Sequence, residues 1–388
     1  MQHHPLKTPT IVLASGGTGG HVYPADALAN ELSGRGCRLV LITDRRGGAV
    51  GGRLSQLETH RVRAGGIAGK GIVARLTSVA EIVIGIGQAY RLLKKISPDA
   101  VVGFGGYASV PTMMAATLMK ARTVIHEQNA VLGRANRLLA PRVARIATSY
   151  EKVERLPERA PLVEMTGMPV RPSVAALRDM PYPARHTGAG MAGGEINLLV
   201  FGGSQGATVF ARVVPEALGR IASKLSGKLR ITQQCRREDV DAVTASYAKS
   251  GIEAEVAAFF DDLPRRIADA HLVIARSGAS TVAELMAVGR PSILVPYPHA
   301  IDDHQTANAH AIDETGAGWL IPEPAFTVDG LAGRLESLLT MPRILETAAA
   351  AARNAARIDA AVRLADIVLG LVKGNGGNGH SEPRKEAA

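Results

Sequence analysis

The stretch Ser15-Gly16-Gly17-Thr18-Gly19-Gly20-His21 follows the apolar run Thr10–Ala14 and precedes a helical pattern that starts near Pro24. Strand, glycine loop and helix, in that order, present bare backbone N–H groups and the positive end of a helix to a phosphate. Glycine suits such a loop because the chain turns tightly and a ligand approaches with no Cβ in the way. The arrangement returns much later. Asn197–Phe201 is another apolar run, and it opens into Gly202-Gly203-Ser204-Gln205-Gly206-Ala207 ahead of a second helical stretch. Two such units predict two nucleotide-fold halves facing each other across a cleft.

The segments between them alternate in the same way. In the first half the expected strands are 10–14, 38–43, 100–103, 122–126 and 144–148, and the helices 24–34, 76–95, 110–119 and 133–140. In the second half the strands fall near 197–201, 228–234, 253–257, 271–275 and 292–296, with helices at 206–224, 279–288 and 304–315. Such alternation argues for βαβ units and parallel sheets, an α/β fold of two Rossmann-like domains. Residues 161–172 read as a linker and Pro181–Glu195 as a mobile insert. The expected domains are 1–168 and 169–356. The Ala-rich stretch 345–373 is helical and its end, about 357–373, crosses back to the first domain; 374–388 reads as a disordered tail.

Among 388 residues the two cysteines, Cys37 and Cys235, suit a reducing compartment and give no disulfide framework. Met1–Pro9 is too short and polar for a signal peptide, and no stretch reaches the ~18–20 apolar residues of a spanning helix. Charge is uneven: through Met168 there are 22 Lys/Arg against 11 Asp/Glu, a net of +11, and from Pro169 onward 23 against 24, a net of −1, which sum to +10. Nucleic acid is not the expected partner of this basic half, since aromatics make up only 4% and no basic-aromatic module is present. An anionic membrane surface is, and Ile67–Leu76 with Lys70 and Arg75, continued by Val79, Ile82, Val83 and Ile86, is the candidate docking segment. The competing reading of that stripe is an ordinary core-facing amphipathic helix.

Several strand ends carry candidate chemistry. A dinucleotide fingerprint needs a glycine at 22, where Val22 stands, so a diphosphate cradle fits the first loop better. His21 is either a capping or packing histidine or a proton-transfer group at the cleft edge. A third glycine loop, Gly103-Phe104-Gly105-Gly106-Tyr107-Ala108-Ser109, and the cluster His126-Glu127-Gln128-Asn129 follow two further strands, so their polar residues converge on one sheet edge. In the second half Ser277–Thr281 forms a helix start suited to a diphosphate, and Glu284 one turn on is placed for two ribose hydroxyls or, more plainly, for a capping box with Thr281. Asp302-Asp303-His304-Gln305 resembles a metal-ligand set, and Asp239-Val240-Asp241 has the D-x-D form, though no second ligand cluster pairs with either.

Read together and in order, these motifs with Gly167-Met168-Pro169-Val170-Arg171 resemble the family of UDP-N-acetylglucosamine transferases that complete the lipid-linked peptidoglycan precursor. The resemblance runs from about residue 10 to 320. It implies the GT-B fold and inverting transfer of GlcNAc from UDP-GlcNAc to the C4 hydroxyl of undecaprenyl-diphospho-muramoylpentapeptide, by a peripheral protein on the cytoplasmic face of the cell membrane, with no cofactor and no metal. It also implies the site. His21 is the first candidate for the base and Glu127 the second. Thr18, Gly19, Gly20, Asn129, Arg171, Ser204, Phe260, Gly278, Ala279, Ser280, Thr281, Val282, Ala283 and Glu284 would bind the donor, with Gln305, or His304 in its place, on the sugar. Gly16, Gly17, Gly105, Gly106 and Tyr107 would take the acceptor diphosphate. Two alternatives of other classes share the fold: a UDP-GlcNAc 2-epimerase and a non-catalytic membrane-docking scaffold. The turn Gln233-Gln234-Cys235-Arg236 departs from the family's His-x-x-Gly-like turn.

Overall fold

The continuous apolar runs make sense once both faces of each sheet are covered. A computed structural model describes residues 8–17, 19–44, 51–65, 72–183, 194–203, 206–225 and 228–374, leaving aside the side chains of 72–76 and 342. The first sheet contains β1 (Thr10–Ala14), β2 (Arg38–Thr43), β3 (Glu58–Arg61), β4 (Ala100–Gly103), β5 (Thr123–Glu127), β6 (Arg145–Thr148) and β7 (Leu162–Met165), in the order β3-β2-β1-β4-β5-β6-β7. The second contains β8 (Glu195–Phe201), β9 (Lys228–Gln234), β10 (Glu253–Ala257), β11 (Leu272–Ala275), β12 (Ser292–Leu294) and β13 (Gly318–Leu320), in the order β10-β9-β8-β11-β12-β13. Every pairing is parallel.

Successive residues of a strand point to opposite faces, so a strand covered by helices on both sides is apolar throughout. In β1, Ile11 and Leu13 join one core with Leu28 and Leu32, while Val12 and Ala14 join the other with Leu93 and Met113. In β8, Leu198 and Val200 pack with Phe210 and Leu335, and Leu199 and Phe201 with Val282 and Leu285. Both sheets reverse strand order once, between β1 and β4 and between β8 and β11. Such a reversal leaves a crevice beyond the carboxyl ends of the strands, the usual seat of a ligand in open parallel sheets.

The differences from the sequence reading fall at the edges. β3 reads Glu-Thr-His-Arg and is mostly exposed, β7 lies inside the stretch expected as linker, and β13 spans three residues. An edge strand needs only one apolar face, so it lacks the run that marks a central strand. The helix expected from residue 24 starts at Gly19, and the one expected from 110 starts at Gly106, which brings both glycine loops into first helical turns. The long C-terminal stretch is two helices, Pro342–Ala355 and Ala360–Lys373. Leu364, Ala365 and Val368 of the second lie in the first domain's core with Ile11 and Val102, so the chain does cross back. Thr18, Ser204, most of the insert (184–193), Lys70 and the tail 375–388 lie outside the described residues.

The two crossings touch. Gly167 has φ +86°, and a Cβ on it would sit 2.4 Å from Arg357 Cβ and 3.3 Å from Ala360 Cβ. Gly167→Ala should therefore lower the unfolding midpoint, by roughly 1–3 kcal/mol for a strained left-handed residue that also clashes. Gly333→Ala, in the helix Val328–Thr340 with nothing within 4 Å of its added Cβ, should raise it, by about 0.5–1 kcal/mol. Denaturant melts of the two variants check the pair of opposite signs.

Candidate active site

The glycine loop after β1 and the one after β4 flank the crevice of the first sheet. His21 sits in the first turn of the helix Gly19–Gly34, and its backbone carbonyl accepts a hydrogen bond from Ser15 Oγ at 2.9 Å. Its ring lies against the second loop. A Cβ on Gly106 would be 3.1 Å from His21 Cδ2 and 3.2 Å from Nε2, and one on Gly105 would be 3.6 Å from Cε1. Gly105 and Gly106 have φ of +78° and +68°, so the loop runs where only glycine is comfortable and sets no Cβ against Nε2. Burial holds His21 below the ordinary histidine pKa, against the pull of Glu127, while His304 from the other domain adds to the lowering. His21 is therefore neutral at pH 7.

Glu127 ends β5 and is buried. Oε1 accepts from the Asn129 backbone N–H at 3.0 Å and from Asn129 Nδ2 at 3.1 Å; Oε2 accepts from the Gly133 N–H and from Asn136 Nδ2, both at 2.8 Å. An ionised carboxylate offers about four lone-pair directions, and all are taken. With all four directions engaged, Glu127 has the geometry of an organiser of its loop.

The loop that Glu127 organises meets the second domain. Asn308, fully buried in the helix His304–Asp313, accepts the Ala130 N–H on Oδ1 at 2.8 Å, and its Nδ2 donates to Asn129 Oδ1 at 3.1 Å and to the Ser277 carbonyl at 3.0 Å. Ser277 Oγ in turn donates to the Gln305 carbonyl at 2.8 Å. One amide thus joins the loop after β5 to the loop after β11. No sequence signal pointed to Asn308; a buried asparagine 178 positions from its partner has no local pattern.

The donor half is set by the helix Ala279–Val288, whose N-cap is Gly278 at φ −64°, ψ 145°. Ala279, Ser280 and Thr281 are its first turn, so their N–H groups open toward the crevice and carry the positive end of the helix dipole. Ser280 Oγ is buried without a hydrogen-bond partner among the described residues. Val282 faces the core and Ala283 is half-buried. Because the helix begins at Ala279, Thr281 is not a cap and Glu284 is not the end of a capping box. Its carboxylate instead takes a two-pronged pair from Arg171, Nε to Oε1 and a terminal nitrogen to Oε2, each 2.8 Å. Burial pushes the Glu284 carboxyl up and the Arg171 donors pull it back; burial opposes the Arg171 charge, but Glu284 outweighs it and leaves that pKa above its usual value. The guanidinium also lies 4.4 Å from the ring centroid of Tyr23 in the first domain.

Gln305 Oε1 accepts the Tyr297 N–H at 2.9 Å, leaving its amide N–H₂ for a ligand, whereas His304 Nδ1 contacts the Ile301 carbonyl at 2.7 Å. Arg276, unremarked in the sequence, holds the same loop by donating to the Val295 and Pro296 carbonyls at 3.1 and 3.0 Å. Phe260 is buried with the Arg266 guanidinium 4.1 Å from its ring centroid. Tyr107 is half-buried in the first turn of Gly106–Leu118, near Arg134. Gly16 is tightly packed, a Cβ there lying 2.7 Å from Thr43 Oγ1, and Gly17 is open at φ +92°. Asp302 is no metal ligand: three arginines of the first domain, Arg134, Arg137 and Arg155, converge on it, and they hold its carboxyl down at about 2. Asp239 stands just before the helix Val240–Lys249 without a side-chain capping hydrogen bond, and among the described residues no three His, Cys, Asp or Glu side chains group for a metal.

Two facing parallel-sheet domains with glycine loops and a helix start on the crevice are an architecture that nucleotide-sugar glycosyltransferases use. The chain belongs to glycosyltransferase family 28, residues 11–148 matching its N-terminal domain and 197–364 its C-terminal domain. It is 58% identical to the UDP-N-acetylglucosamine–N-acetylmuramyl-(pentapeptide) pyrophosphoryl-undecaprenol N-acetylglucosamine transferase of Rhodospirillum rubrum, over 92% of this chain and 91% of that one. The protein of the same description from Methylorubrum populi is 46% identical over 93% and 97%. Among solved structures, MurG of Acinetobacter baumannii superposes with a TM-score of 0.75 at 30% identity, covering 94% of this chain and 99% of that one. A UDP-N-acetylglucosamine 2-epimerase superposes at 0.61 with 12% identity, a likeness of fold alone.

Asn308→Ala removes the acceptor for a buried N–H, a loss that costs about 1–3 kcal/mol where no water replaces it. The Ala130 amide should then exchange with solvent faster than in the parent protein, and KM for the donor nucleotide should rise. Hydrogen exchange and steady-state kinetics read the two effects separately.

Proposed function

We propose that the protein transfers GlcNAc from UDP-GlcNAc to a lipid-linked muramoyl-pentapeptide, with inversion, and that His21 is the base. The observation that carries the base assignment is the ring itself: neutral, with Nε2 against the glycine loop expected to hold the acceptor diphosphate. The acceptor C4 hydroxyl gives its proton to His21 Nε2 as its oxygen bonds to the anomeric carbon. The bond from that carbon to the β-phosphate oxygen breaks, and UDP leaves with the electron pair. The N–H groups of Ala279–Thr281, fixed before the reaction, stabilise the charge that develops on the leaving phosphate. Glu284 and Arg171 support a ribose and phosphate site, and Gln305 the sugar. Glu127, Asn129 and Asn308 keep the two loops in register.

The acceptor is a lipid, and the docking reading gains support from the helix Ile72–Ile96. Val79, Val83 and Ile84 of this helix are 48%, 62% and 45% exposed, while Ala89 and Leu93 pack into the core. Val79 and Val83 thus turn outward and Ile86 inward, so the expected stripe divides between an exposed face and the core. Among the described residues no helix is long and apolar enough to cross a membrane. Peripheral association on the cytoplasmic face of the membrane fits this surface.

His21→Ala should lower kcat by ~10²–10⁴ with UDP affinity nearly unchanged. Glu127→Ala should instead raise KM as well as lower kcat, since four donors lose their partner and the loop to Asn308 relaxes. In the parent enzyme the acid limb of kcat should fall below the ordinary histidine value of about 6.5, because burial favours the neutral ring. A transfer assay with UDP-GlcNAc and a short-chain lipid acceptor measures all three. Conversion of UDP-GlcNAc alone to UDP-ManNAc would favour the epimerase instead.

Sedimentation with anionic vesicles, lost on Val79→Glu/Val83→Glu while activity on a soluble acceptor persists, is the expected result for docking. Sedimentation unaffected by these charges would exclude this face.

A further inference from the structure

A base needs its lone pair on the correct nitrogen, and histidine has two. Which one carries the proton is set by the partner of the other. In this protein the partners of His21 form a chain whose polarity is fixed at its far end. His126 is fully buried at the end of β5, and its Nε2 lies 3.0 Å from the Gly167 carbonyl. A carbonyl only accepts, so His126 Nε2 carries hydrogen and His126 Nδ1, in a neutral ring, is a lone pair. Burial drives its pKa to about 4, which keeps that ring neutral.

The next link is Gln128. Its Nε2 lies 2.9 Å from the Phe104 carbonyl, 3.0 Å from the His126 carbonyl and 3.2 Å from His126 Nδ1. All three are acceptors, so the amide N–H₂ occupies this side; the flipped amide would press its oxygen against two carbonyl oxygens. Gln128 Oε1 is left facing His21 Nδ1 at 3.2 Å. An amide oxygen only accepts, so His21 Nδ1 must donate, and the lone pair is forced to Nε2, beside Gly105 and Gly106.

We propose that Gln128 and His126 are positioning residues that fix the tautomer of His21, holding its proton on Nδ1 and keeping Nε2 free to take a proton from the acceptor hydroxyl. This rests on the base role proposed for His21. The relay begins at the Gly167 carbonyl, where the chain crosses between domains. The charged or titratable groups that face His21 are Glu127 of β5 and His304 of the opposite domain, with the Phe104 carbonyl and the Gln128 amide beside them. Both of these polar groups favour hydrogen on the ring rather than supplying it.

The test uses the full-length enzyme with nitrogen-labelled histidine and long-range proton–nitrogen correlation, which separates Nδ1–H from Nε2–H rings. His21→Gln identifies the His21 signals among the 11 histidines. The parent should show His21 as Nδ1–H at neutral pH. In Gln128→Met, which cannot accept, the signal should move toward Nε2–H, and kcat should fall about 10-fold or more with KM for UDP-GlcNAc unchanged. A packing role alone would not move the tautomer signal, nor lower kcat while leaving KM for the donor unchanged. An Nε2–H ring in the parent, or an unchanged spectrum and kcat in Gln128→Met, would overturn the proposal. Failure of the transferase reading shows separately, as absence of transfer by the parent enzyme, because the spectrum reads the tautomer without turnover.

Discussion

A buried carboxylate with no arginine or lysine against it among the described residues is compensated by N–H donors, and Glu127 has four. Much of the cleft follows from this one demand. Two of the donors belong to Asn129 and one to Gly133, so the loop after β5 is folded around the carboxylate. That fold turns Asn129 Oδ1 and the Ala130 N–H outward as a matched acceptor and donor, and the two ends of Asn308 fit them. Asn308 passes the constraint to Ser277, and Ser277 to Gln305. The carboxyl edges of the two sheets are therefore held in register through side-chain amides and hydroxyls. Such contacts are directional, so they set geometry more sharply than apolar packing of the same area would.

Polar contacts of this kind also hold the domains together loosely. Asp302 against Arg134, Arg137 and Arg155 leaves three guanidinium groups on one carboxylate, each at least 29% exposed. Pairs of that exposure contribute little net stability and are screened by salt. Their strength is that water or a ligand can replace them without leaving an unpaired buried group. The peptide backbone at this corner is constrained too, Asp302 and Asp303 both having positive φ, +57° and +54°. Interfaces of modest polar character between domains ordinarily permit relative motion. A cleft enzyme must open to exchange nucleotides.

The central strands and glycine loops were legible because each is a local pattern: an apolar run, then bare glycine, then helical periodicity. His21, Glu284 and the start at Ala279 were legible for the same reason, through their distance from a strand end. What was not legible is which side chains meet across the sequence. Asn308 pairs with Ala130 and Asp302 with Arg134, Arg137 and Arg155, and spacing gives no hint of either. The Asp302–Gln305 segment looked like metal ligands because aspartate and histidine were close in sequence; in space the arginines of another domain claim the aspartate. The four donors around Glu127 were not legible either, because a sequence shows a carboxylate but not what surrounds it. The edge strands β3 and β7 escaped because half-covered strands need no continuous apolar run.

The pair of Arg171 and Glu284 shows how a buried charge on one domain is matched from the segment that joins the two. Glu284 is buried on the helix Ala279–Val288, and an unpaired carboxylate at that depth would cost several kcal/mol. Arg171 meets it with two N–H donors in a planar fork, and rests its own charge against Tyr23 of the first domain. Both carboxylate oxygens are engaged by the fork, so any hydroxyl that used them would exchange with the guanidinium rather than add two new bonds. The same fork therefore ties the helix start of the second domain, through the segment before it, to a ring on the first helix of the chain.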